Sequence, residues 1–425
     1  MDKKLKLRYK DGEVEVKIPQ ENLLYSIKPE DLPGVKNEKE AIMKSLENPI
    51  SSLPLSELVR KGMKVVIIGD DITRPTPRER IFPVILDELN RCGIPDKDIT
   101  GLISLGTHRY MTEEEIENCF GKEVTERIKV LNHEWKDKNN LVKIGSTPSG
   151  IPIEVNKLAK EADLLIATGS IVPHCLAGYG GGGKAIQPGI CSWETTGKTH
   201  LIPMKKDMFL KLVGDVENEV RHEIEKVAEA VGLNFIVNVV LNDKKEIVKV
   251  VSGNQVKAHR EGVKIAKRIY ERGIPGLADI VIVSAYPADI DYWQGVKPLS
   301  YAQQGLKKGG TSIIIAHFPD GISPTHSEMG EYASRSYSEL KKMVEEDKFD
   351  DLVCASTLLQ HARIMEHSRE VICVSEGMSV EDKEKIGFKH AQTLEEALDI
   401  AFKTQGKDAK VGVINYGGDV LPRII

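Results

Sequence analysis

The segment HCLAGYGGGGKAIQPGI, residues 174–190, joins four consecutive glycines to a lysine. A glycine run costs conformational entropy, so it indicates that the backbone must closely approach another group. Gly178, Gly183 and Lys184 have P-loop spacing, but Ala185 lacks the side-chain oxygen with which a P-loop binds magnesium. The segment therefore predicts a site for a bulky, phosphate-bearing ligand. The Lys184 amine would pair with charge or bond to a carbonyl or thiocarbonyl carbon.

Titratable and cationic side chains follow several apolar runs elsewhere in the chain. They are Asp70, Asp71 and Arg74; His108 and Arg109; His174; and Asp289, Asp291, Trp293, Gln294 and Lys297. Arg74 precedes a proline and is suited to hold a carboxylate or phosphate in a fork. His108 and His174 titrate near neutral pH and predict an acid–base pair. The alternatives are helix capping by the two aspartates and ordinary structural hydrogen bonding by each histidine.

A further histidine, His200, lies in the segment CSWETTGKTH among hydroxyl-bearing and small residues. Metal sites built from protein side chains need several ligands at suitable spacing, and no such set surrounds this histidine in the sequence. Spacing alone therefore does not predict a metal site.

The candidates are positioned by a pattern typical of α/β proteins. MKVVIIGD, DITGLISLG and ADLLIATGS are short apolar runs separated by helical lengths, as are GGTSIIIAHFPDG, REVICVSEG and KVGVINYGGDVLP. We predict two α/β domains, residues 1–270 and 271–425, each with a largely parallel sheet flanked by helices. KLKLRYKDGEVEVKI and NFIVNVVLNDKKEIVKVV predict hairpins. Ligands bind beyond the carboxyl ends of parallel strands, so the candidates are expected to meet in an interdomain cleft.

Composition limits the classes of partner. The 425 residues carry a net charge of -5 with no basic stripe, which argues against a nucleic-acid or membrane partner and favours a small molecule. The first residues alternate charged and apolar types, unlike a signal peptide or a membrane span. The six cysteines form no C-x-x-C pair and are expected to be reduced thiols. We predict a cytoplasmic protein.

Five motifs, in the order DDITRPTP, GTHR, VPH, GYGGGGKAIQPGI and TTGKTH, resemble those of the nickel-pincer-nucleotide-dependent lactate racemase family. The likeness runs over most of the chain and is densest over residues 70–200. The resemblance implies a cofactor made from nicotinic acid. This cofactor is a pyridinium mononucleotide whose thioamide and thiocarboxylate groups coordinate nickel. Lys184 matches the lysine bonded to this cofactor, and His200 matches the nickel ligand. Further cofactor contacts are implied for Asp71, Gly180, Gly181, Gly182 and Gly183.

The same resemblance implies an isomerase that racemises or epimerises a 2-hydroxy acid by reversible hydride transfer. His108 and His174 match two acid–base residues, one for each enantiomer. Arg74 and Lys297 match residues that hold the substrate carboxylate or support catalysis, and Gln294 matches a residue of the second domain that faces the cleft. Enzymes that make the cofactor are implied as partners. The N-terminal domain would carry the cofactor and the histidines, and the C-terminal domain would close over the substrate.

The segment YWQG, residues 292–295, departs from the tyrosine, glutamine and serine run expected for a lactate-specific member. Trp293 is bulky and Gly295 removes a hydroxyl, which favours an acid other than lactate. The alternative is that Trp293 only packs the domain interface. Two other functions also stay open: a P-loop-like nucleotide-dependent enzyme, and a non-catalytic protein that binds a nucleotide or a hydroxy acid.

Overall fold

The computed structural model describes residues 2–425. Twenty strands are present within these residues, here labelled β1 to β20 in chain order: Asp2–Tyr9, Gly12–Pro19, Leu23–Ile27, Val65–Asp70, Ile99–Ser104, Lys129–Asn132, Leu141–Ser146, Pro152–Asn156, Leu164–Ser170, Pro173–His174, Gly178–Tyr179, Phe235–Leu241, Ile247–Gly253, Glu271–Ile274, Ala278–Ser284, Leu306–Ile315, Glu370–Val374, Lys389–His390, Val411–Ile414 and Leu421–Ile424.

The α-helices of the same described range are labelled α1 to α15 in chain order: Glu38–Glu47, Leu55–Leu58, Arg78–Arg91, Glu113–Phe120, Lys122–Arg127, Lys157–Glu161, Trp193–His200, Glu219–Val231, Lys257–Tyr270, Tyr292–Ala302, Glu328–Tyr332, Tyr337–Glu345, Leu352–His367, Val380–Lys385 and Leu394–Gln405. Short 3-10 helices span Asp96–Asp98, Lys138–Asn140, Gly182–Ala185 and Ile202–Lys206.

The first large sheet has the strand order β13-β12-β9-β4-β5-β6. Its neighbours pair in parallel except β12 and β13, which form the predicted hairpin. The strands β9 and β12 are buried along their whole length, because helices cover both faces of the sheet. Such burial explains why these strands appear in the sequence as nearly continuous apolar runs.

The second large sheet has the order β18-β17-β16-β15-β19-β3, and all of its pairs are parallel. Residues of α10 and α13 pack on one face, while the β1–β2 hairpin and α15 pack on the other. The predicted fold class, α/β with largely parallel sheets flanked by helices, is confirmed.

The first 27 residues differ from the predicted arrangement. We placed them in the N-terminal domain, but β3 pairs with β19 at the edge of the second sheet. The predicted β1–β2 hairpin forms, with Lys10 in the turn at φ 52°, and Leu7, Val16 and Ile18 pack into the core of that sheet. Local patterns specify a strand but not its neighbour, so this pairing across the chain was not predictable from the sequence. A division near residue 270 stays a prediction for the remaining chain.

The two sheets are joined by close helix packing between α7, from the first part of the chain, and α13, from the second. A methyl group added at Gly197 of α7 would lie 2.5 Å from the Leu352 side chain, so the helices approach almost to backbone contact. Ser356 Oγ of α13 donates to the His200 carbonyl oxygen at 2.8 Å. In the described range, no helix has both the length and the apolar character needed to cross a membrane.

Candidate active site

A cleft lies between the two sheets. Its walls are the carboxyl ends of β4, β5 and β9, the segment 174–189, and the helices α7, α10 and α13. The predicted site residues that line it are Asp71, Arg74, His108, His174, Gly180, Gly181, Lys184, His200, Trp293, Gln294 and Lys297. Strand ends that are far apart in sequence therefore converge on one cavity between the sheets, where small-molecule sites commonly lie.

The four glycines 180–183 divide into two pairs. Gly180 and Gly181 line the cleft, whereas Gly182 and Gly183 turn toward the helices behind the loop. A Cβ at Gly183 would lie 2.6 Å from Gln255 Oε1, and a Cβ at Gly182 would lie 2.9 Å from the Gln255 carbonyl oxygen. A ligand in the cleft can reach the first pair, while the second pair permits close packing within the protein.

Three buried side chains that we did not predict hold this loop in place. The fully buried Arg221 of α8 donates to the carbonyl oxygens of Ala177 at 3.0 Å and Gly181 at 3.2 Å. His259 of α9 donates to the Gly180 carbonyl at 2.7 Å, and Asn238 of β12 accepts from the Gly182 amide at 2.7 Å. Since loop carbonyls lack the partners that a helix or sheet supplies, these bonds fix the loop conformation. Their sequence positions carry no motif.

Lys184 lies in the cleft with an amine that makes no hydrogen bond or ion pair within residues 2–425. Burial, reinforced by the charges of Arg74 and Lys297, holds the pKa of this amine well below its usual value. The lowered pKa favours the neutral form of this unpartnered amine, which is a nucleophile and can be acylated or thioacylated without losing an ion pair. The geometry thus permits a covalent bond to a ligand.

His108 is oriented by Asp71, whose Oδ2 lies 2.6 Å from His108 Nδ1. Burial opposes ionisation of Asp71, but His108 and Arg74 outweigh it and hold the carboxyl pKa below its usual range. An ionised carboxylate only accepts, so Nδ1 carries the hydrogen and Nε2 presents a lone pair. Gln294 Nε2 donates to that atom at 3.0 Å. Burial lowers the pKa of His108, although Asp71 opposes the shift, so the ring is a neutral base near pH 7.

His174 is held in the opposite tautomer. Its Nδ1 accepts from the amides of Leu176 and Ala177, both at 3.2 Å. The hydrogen of the neutral ring therefore lies on Nε2, which is left to donate to a group in the cleft. Burial, with the positive charge of Arg74 nearby, holds the pKa of His174 well below its usual value. In this conformation His108 is arranged to accept a proton, whereas His174 is arranged to donate a hydrogen bond.

His200, the last residue of α7, has the arrangement of a metal-binding histidine. Its Nδ1 donates to the Thr196 carbonyl at 2.8 Å, which places the lone pair on Nε2. Burial, with the nearby Lys184 amine, lowers the pKa of His200 to about 4, so the ring is neutral and can coordinate. Within the described chain, Glu328, Asp351 and Cys354 form a cluster that could hold a metal ion, and His200 is not among them. A metal at His200 would need ligands from a cofactor.

The cations Arg74 and Lys297 face the same cavity. Arg74 uses one guanidinium nitrogen on its neighbour Thr73, at 2.9 Å, so the other nitrogens are available to an anion. Lys297 donates to Gln294 Oε1, and burial together with Arg74 lowers its pKa to about 7. Burial raises the pKa of Asp291, at the start of α10, to about 7. The cleft is consequently suited to anionic ligands.

Other predicted candidates already have ionic partners or lie outside the cleft. Asp70 lines the cleft but pairs with Arg78 at 2.8 Å, and Arg109 pairs with Glu115 at 2.8 Å. Asp289 does not line the cleft. Gly295 lies against the Phe318 ring, 2.5 Å from the position of an added methyl group, so its lack of a side chain serves packing and does not widen the cleft.

Sequence reasoning missed several polar groups in the cleft wall. The hydroxyls of Ser170 and Thr196 line the cavity, are buried, and have no hydrogen-bond partner. Buried hydroxyls are normally paired, so unpaired ones beside a cavity indicate a polar ligand. Both residues lie in quoted segments, at the end of β9 and one turn before His200, but hydroxyls are too common in sequences to stand out.

Comparison with protein families gives matches in two adjoining parts of the chain. The family described as the lactate racemase N-terminal domain matches residues 9–209, and the family described as the lactate racemase C-terminal domain matches residues 275–421.

Individual relatives extend over nearly the whole chain. A lactate racemase of Lactiplantibacillus plantarum is 34% identical over 393 residues, and one of Thermoanaerobacterium thermosaccharolyticum is 31% identical over 401 residues. Each alignment covers 91% of this chain and 91% of the relative. The structure of the lactate racemase apoprotein from T. thermosaccharolyticum has a TM-score of 0.87 at 30% identity, covering 99% of this chain and 100% of that one. A Thermotoga maritima protein of known structure shares the fold, with a TM-score of 0.72 at 20% identity.

Proposed function

This chain belongs to the lactate racemase family and is a racemase, and from that premise we propose that it interconverts the enantiomers of a small 2-hydroxy acid with a nickel-pincer nucleotide bonded to Lys184. The observation that carries the proposal is the convergence of the His108 and His174 imidazoles and two cations on the cavity that contains the Lys184 amine, whose pKa is lowered. Neither a P-loop enzyme nor a simple binding protein would need that combination.

The residues present fit such a cofactor. Lys184 offers an amine with a lowered pKa, His200 offers a lone pair on Nε2, and the unpaired hydroxyls of Ser170 and Thr196 offer donors. When bound, the nucleotide would supply an acceptor for the hydride of the substrate carbon. His200 would then suffice as the protein ligand of nickel, because the cofactor would bring the remaining, soft donors, which suit Ni(II).

Substrate binding is assigned to Arg74 and Lys297. An arginine with free guanidinium nitrogens can hold a carboxylate by two parallel hydrogen bonds, and a carboxylate beside Lys297 would favour its charged form. This anchoring would place the hydroxyl-bearing carbon between the imidazoles of His108, which follows β5, and His174, which lies in β10; both line the cleft.

Proton transfer is assigned first to His108, whose Nε2 can take the hydroxyl proton once Gln294 Nε2 releases its lone pair, while Asp71 stabilises the resulting imidazolium. His174 would donate its Nε2–H to the substrate oxygen in the conformation described. For His174 to act as a base toward the other enantiomer, its Nδ1 must release the two amides and take up the hydrogen. The two-base mechanism therefore requires a small movement of residues 174–177.

Intact mass and turnover test this proposal together. We expect the protein co-expressed with enzymes that make the cofactor to carry a covalent adduct of mononucleotide size and to racemise a 2-hydroxy acid in chiral chromatography. Lys184→Ala should lose both the adduct and the activity, whereas Lys198→Ala, on the exposed side of α7, should retain both. An unchanged adduct in Lys184→Ala would contradict the assignment. ATP-dependent thermal stabilisation without an adduct would support a nucleotide-dependent enzyme instead.

The proposal makes the cofactor-producing enzymes functional partners of this chain, since the adduct must be formed before turnover. A cytoplasmic location stays a prediction from the sequence.

A further inference from the structure

A column of aromatic rings crosses the interface between the two parts of the molecule. Trp135 lies 4.7 Å from Trp193 between ring centroids, and Trp193 lies 5.3 Å from His326. His326 stacks on Trp293 at 3.7 Å with an angle of 10° between the ring planes. The column thus contains every tryptophan of the chain and ends at Trp293 in the cleft wall.

His326 lies between Trp193 and Trp293 and connects them within this column. Its fully buried side chain donates through Nδ1 to Asp351 Oδ2 at 2.6 Å, and its Nε2 lies 3.4 Å from the Thr107 hydroxyl. Asp351 is itself fixed, because its other oxygen caps α13 by accepting from the amides of Val353 and Cys354. Bonds to residues from both parts of the chain set the position of the imidazole, and the mechanism above does not use it.

The column touches the catalytic segments at several points. Thr107 precedes the proposed base His108, and Trp135 Nε1 donates to the His108 carbonyl at 3.0 Å. Trp193 begins α7, the helix that ends at His200. Trp293 lines the cleft and directly precedes Gln294, which bonds to His108. Removal of the His326 imidazole would therefore alter the position of the Trp293 indole, which lines the cleft where the substrate would bind.

We propose that His326 is a positioning residue that sets the selectivity of this enzyme among 2-hydroxy acids. By stacking on the Trp293 indole, His326 holds it as a rigid wall of the cleft, and the wall favours acids with small side chains over branched or aromatic ones. The indole is only partly buried and lines the cleft, so it would gain freedom to rotate without this stack. The inference rests on the proposed function, because it concerns which acids that reaction accepts.

Selectivity is measured as the ratio of kcat/KM for 2-hydroxy-3-methylbutanoate to kcat/KM for lactate, using full-length, cofactor-loaded protein. We expect His326→Ala to raise this ratio at least about tenfold, because a Trp293 indole that is free to rotate leaves space for a branched side chain. His326→Phe keeps a ring in the stack and should keep the ratio near the parent value. His367→Ala, which removes an imidazole bonded to the Leu306 carbonyl at the far end of α13, is the matched control. An unchanged ratio in His326→Ala contradicts the inference.

Motion of the indole is measured without turnover. In a full-length chain with Trp135→Phe and Trp193→Phe, Trp293 is the remaining tryptophan, and its fluorescence anisotropy decay reports rotation on the nanosecond scale. We expect His326→Ala, but not His326→Phe, to add a fast component to that decay. An indole that stays immobile in His326→Ala overturns the inference, and so does a mobile indole with an unchanged kinetic ratio. A parent protein that racemises no 2-hydroxy acid contradicts the proposed function, whereas the anisotropy still decides whether His326 holds the indole.

Discussion

At the scale of single residues, the chemistry depends on which ring nitrogen of each histidine carries the hydrogen. The Asp71 carboxylate gives His108 a lone pair on Nε2, whereas two backbone amides give His174 a hydrogen there. Burial favours the neutral form of both rings. The resting site is thus asymmetric although racemisation has to work in both directions.

The Asp71→Asn variant tests the tautomer of His108. An amide can donate to Nδ1 and so move the hydrogen to Nε2, which removes the lone pair that acts as base. We expect kcat to fall by about 10²- to 10⁴-fold with little change in KM. Asp289→Asn changes a carboxylate outside the cleft and should leave kcat near the parent value. Equal effects of the two substitutions would argue against the assigned role.

The pH dependence of KM tests Lys297. Its pKa is lowered to about 7, so the amine is charged below that pH and neutral above it. A charged amine binds the substrate carboxylate better, so KM should rise as the pH increases through 7, by up to about tenfold per unit. Lys297→Arg stays charged across this range and should give a nearly constant KM. A parent KM that does not depend on pH would contradict the prediction.

At the scale of elements, the glycine loop, residues 178–183, both lines the cleft and packs closely against the rest of the protein. Gly180 and Gly181 line the cleft, yet a Cβ at Gly181 would lie 2.9 Å from Asn238 Oδ1, so this glycine also lets the loop pack against a strand. Gly178 is the most constrained: its φ is +72°, and an added Cβ would lie 2.0 Å from the Asp215 carbonyl oxygen. It pairs with His174 across the two short strands β10 and β11, so strain at Gly178 would be felt at a proposed catalytic residue.

Alanine substitution separates backbone strain from steric overlap in this loop. Gly150 has a similar φ of +86° but open space around it. Gly150→Ala should cost about 1–2 kcal/mol from its left-handed backbone alone. Gly178→Ala should cost about 1–3 kcal/mol more, because the Asp215 backbone must also move. Thermal unfolding midpoints of the two variants measure the difference, and equal midpoints would show that the overlap is relieved without cost.

At the scale of the whole molecule, the site exists only where the two sheets meet. The cleft takes residues from both, and α7 and α13 are packed closely enough that Gly197 has no space for a side chain. Since α7 ends at His200 and α13 forms part of the cleft wall, their separation sets the width of the site.

Gly197→Ala should therefore push the two helices apart and displace His200. A displacement of about 1 Å can lower turnover by about 10²-fold, so we expect a large fall in kcat together with an increase in the radius of gyration measured by small-angle X-ray scattering. Gly330→Ala is the control, because its added methyl group would make an ordinary 3.5 Å contact with Ile322. A Gly197→Ala variant with parental activity would show that the interface tolerates expansion.

The sequence by itself determined the features that depend on neighbouring residues. Period-two alternation and buried apolar runs specified the β1–β2 hairpin, the β12–β13 hairpin and the parallel strands, since side-chain direction along a strand is a local property. The order of the motifs, with Lys184 and His200 among them, specified the family.

Only the tertiary structure decided which of these elements and side chains meet. The pairing of β3 with β19, the Asp71–His108 bond, the hold of Arg221 on the glycine loop, and the stack of His326 on Trp293 each join residues that are distant in sequence. Such contacts arise when apolar faces are buried and the polar groups trapped with them find partners, and neither process leaves a periodic trace in the chain. That is why the sequence predicted the candidate residues, whereas their tautomers, charge states and supports required the folded molecule.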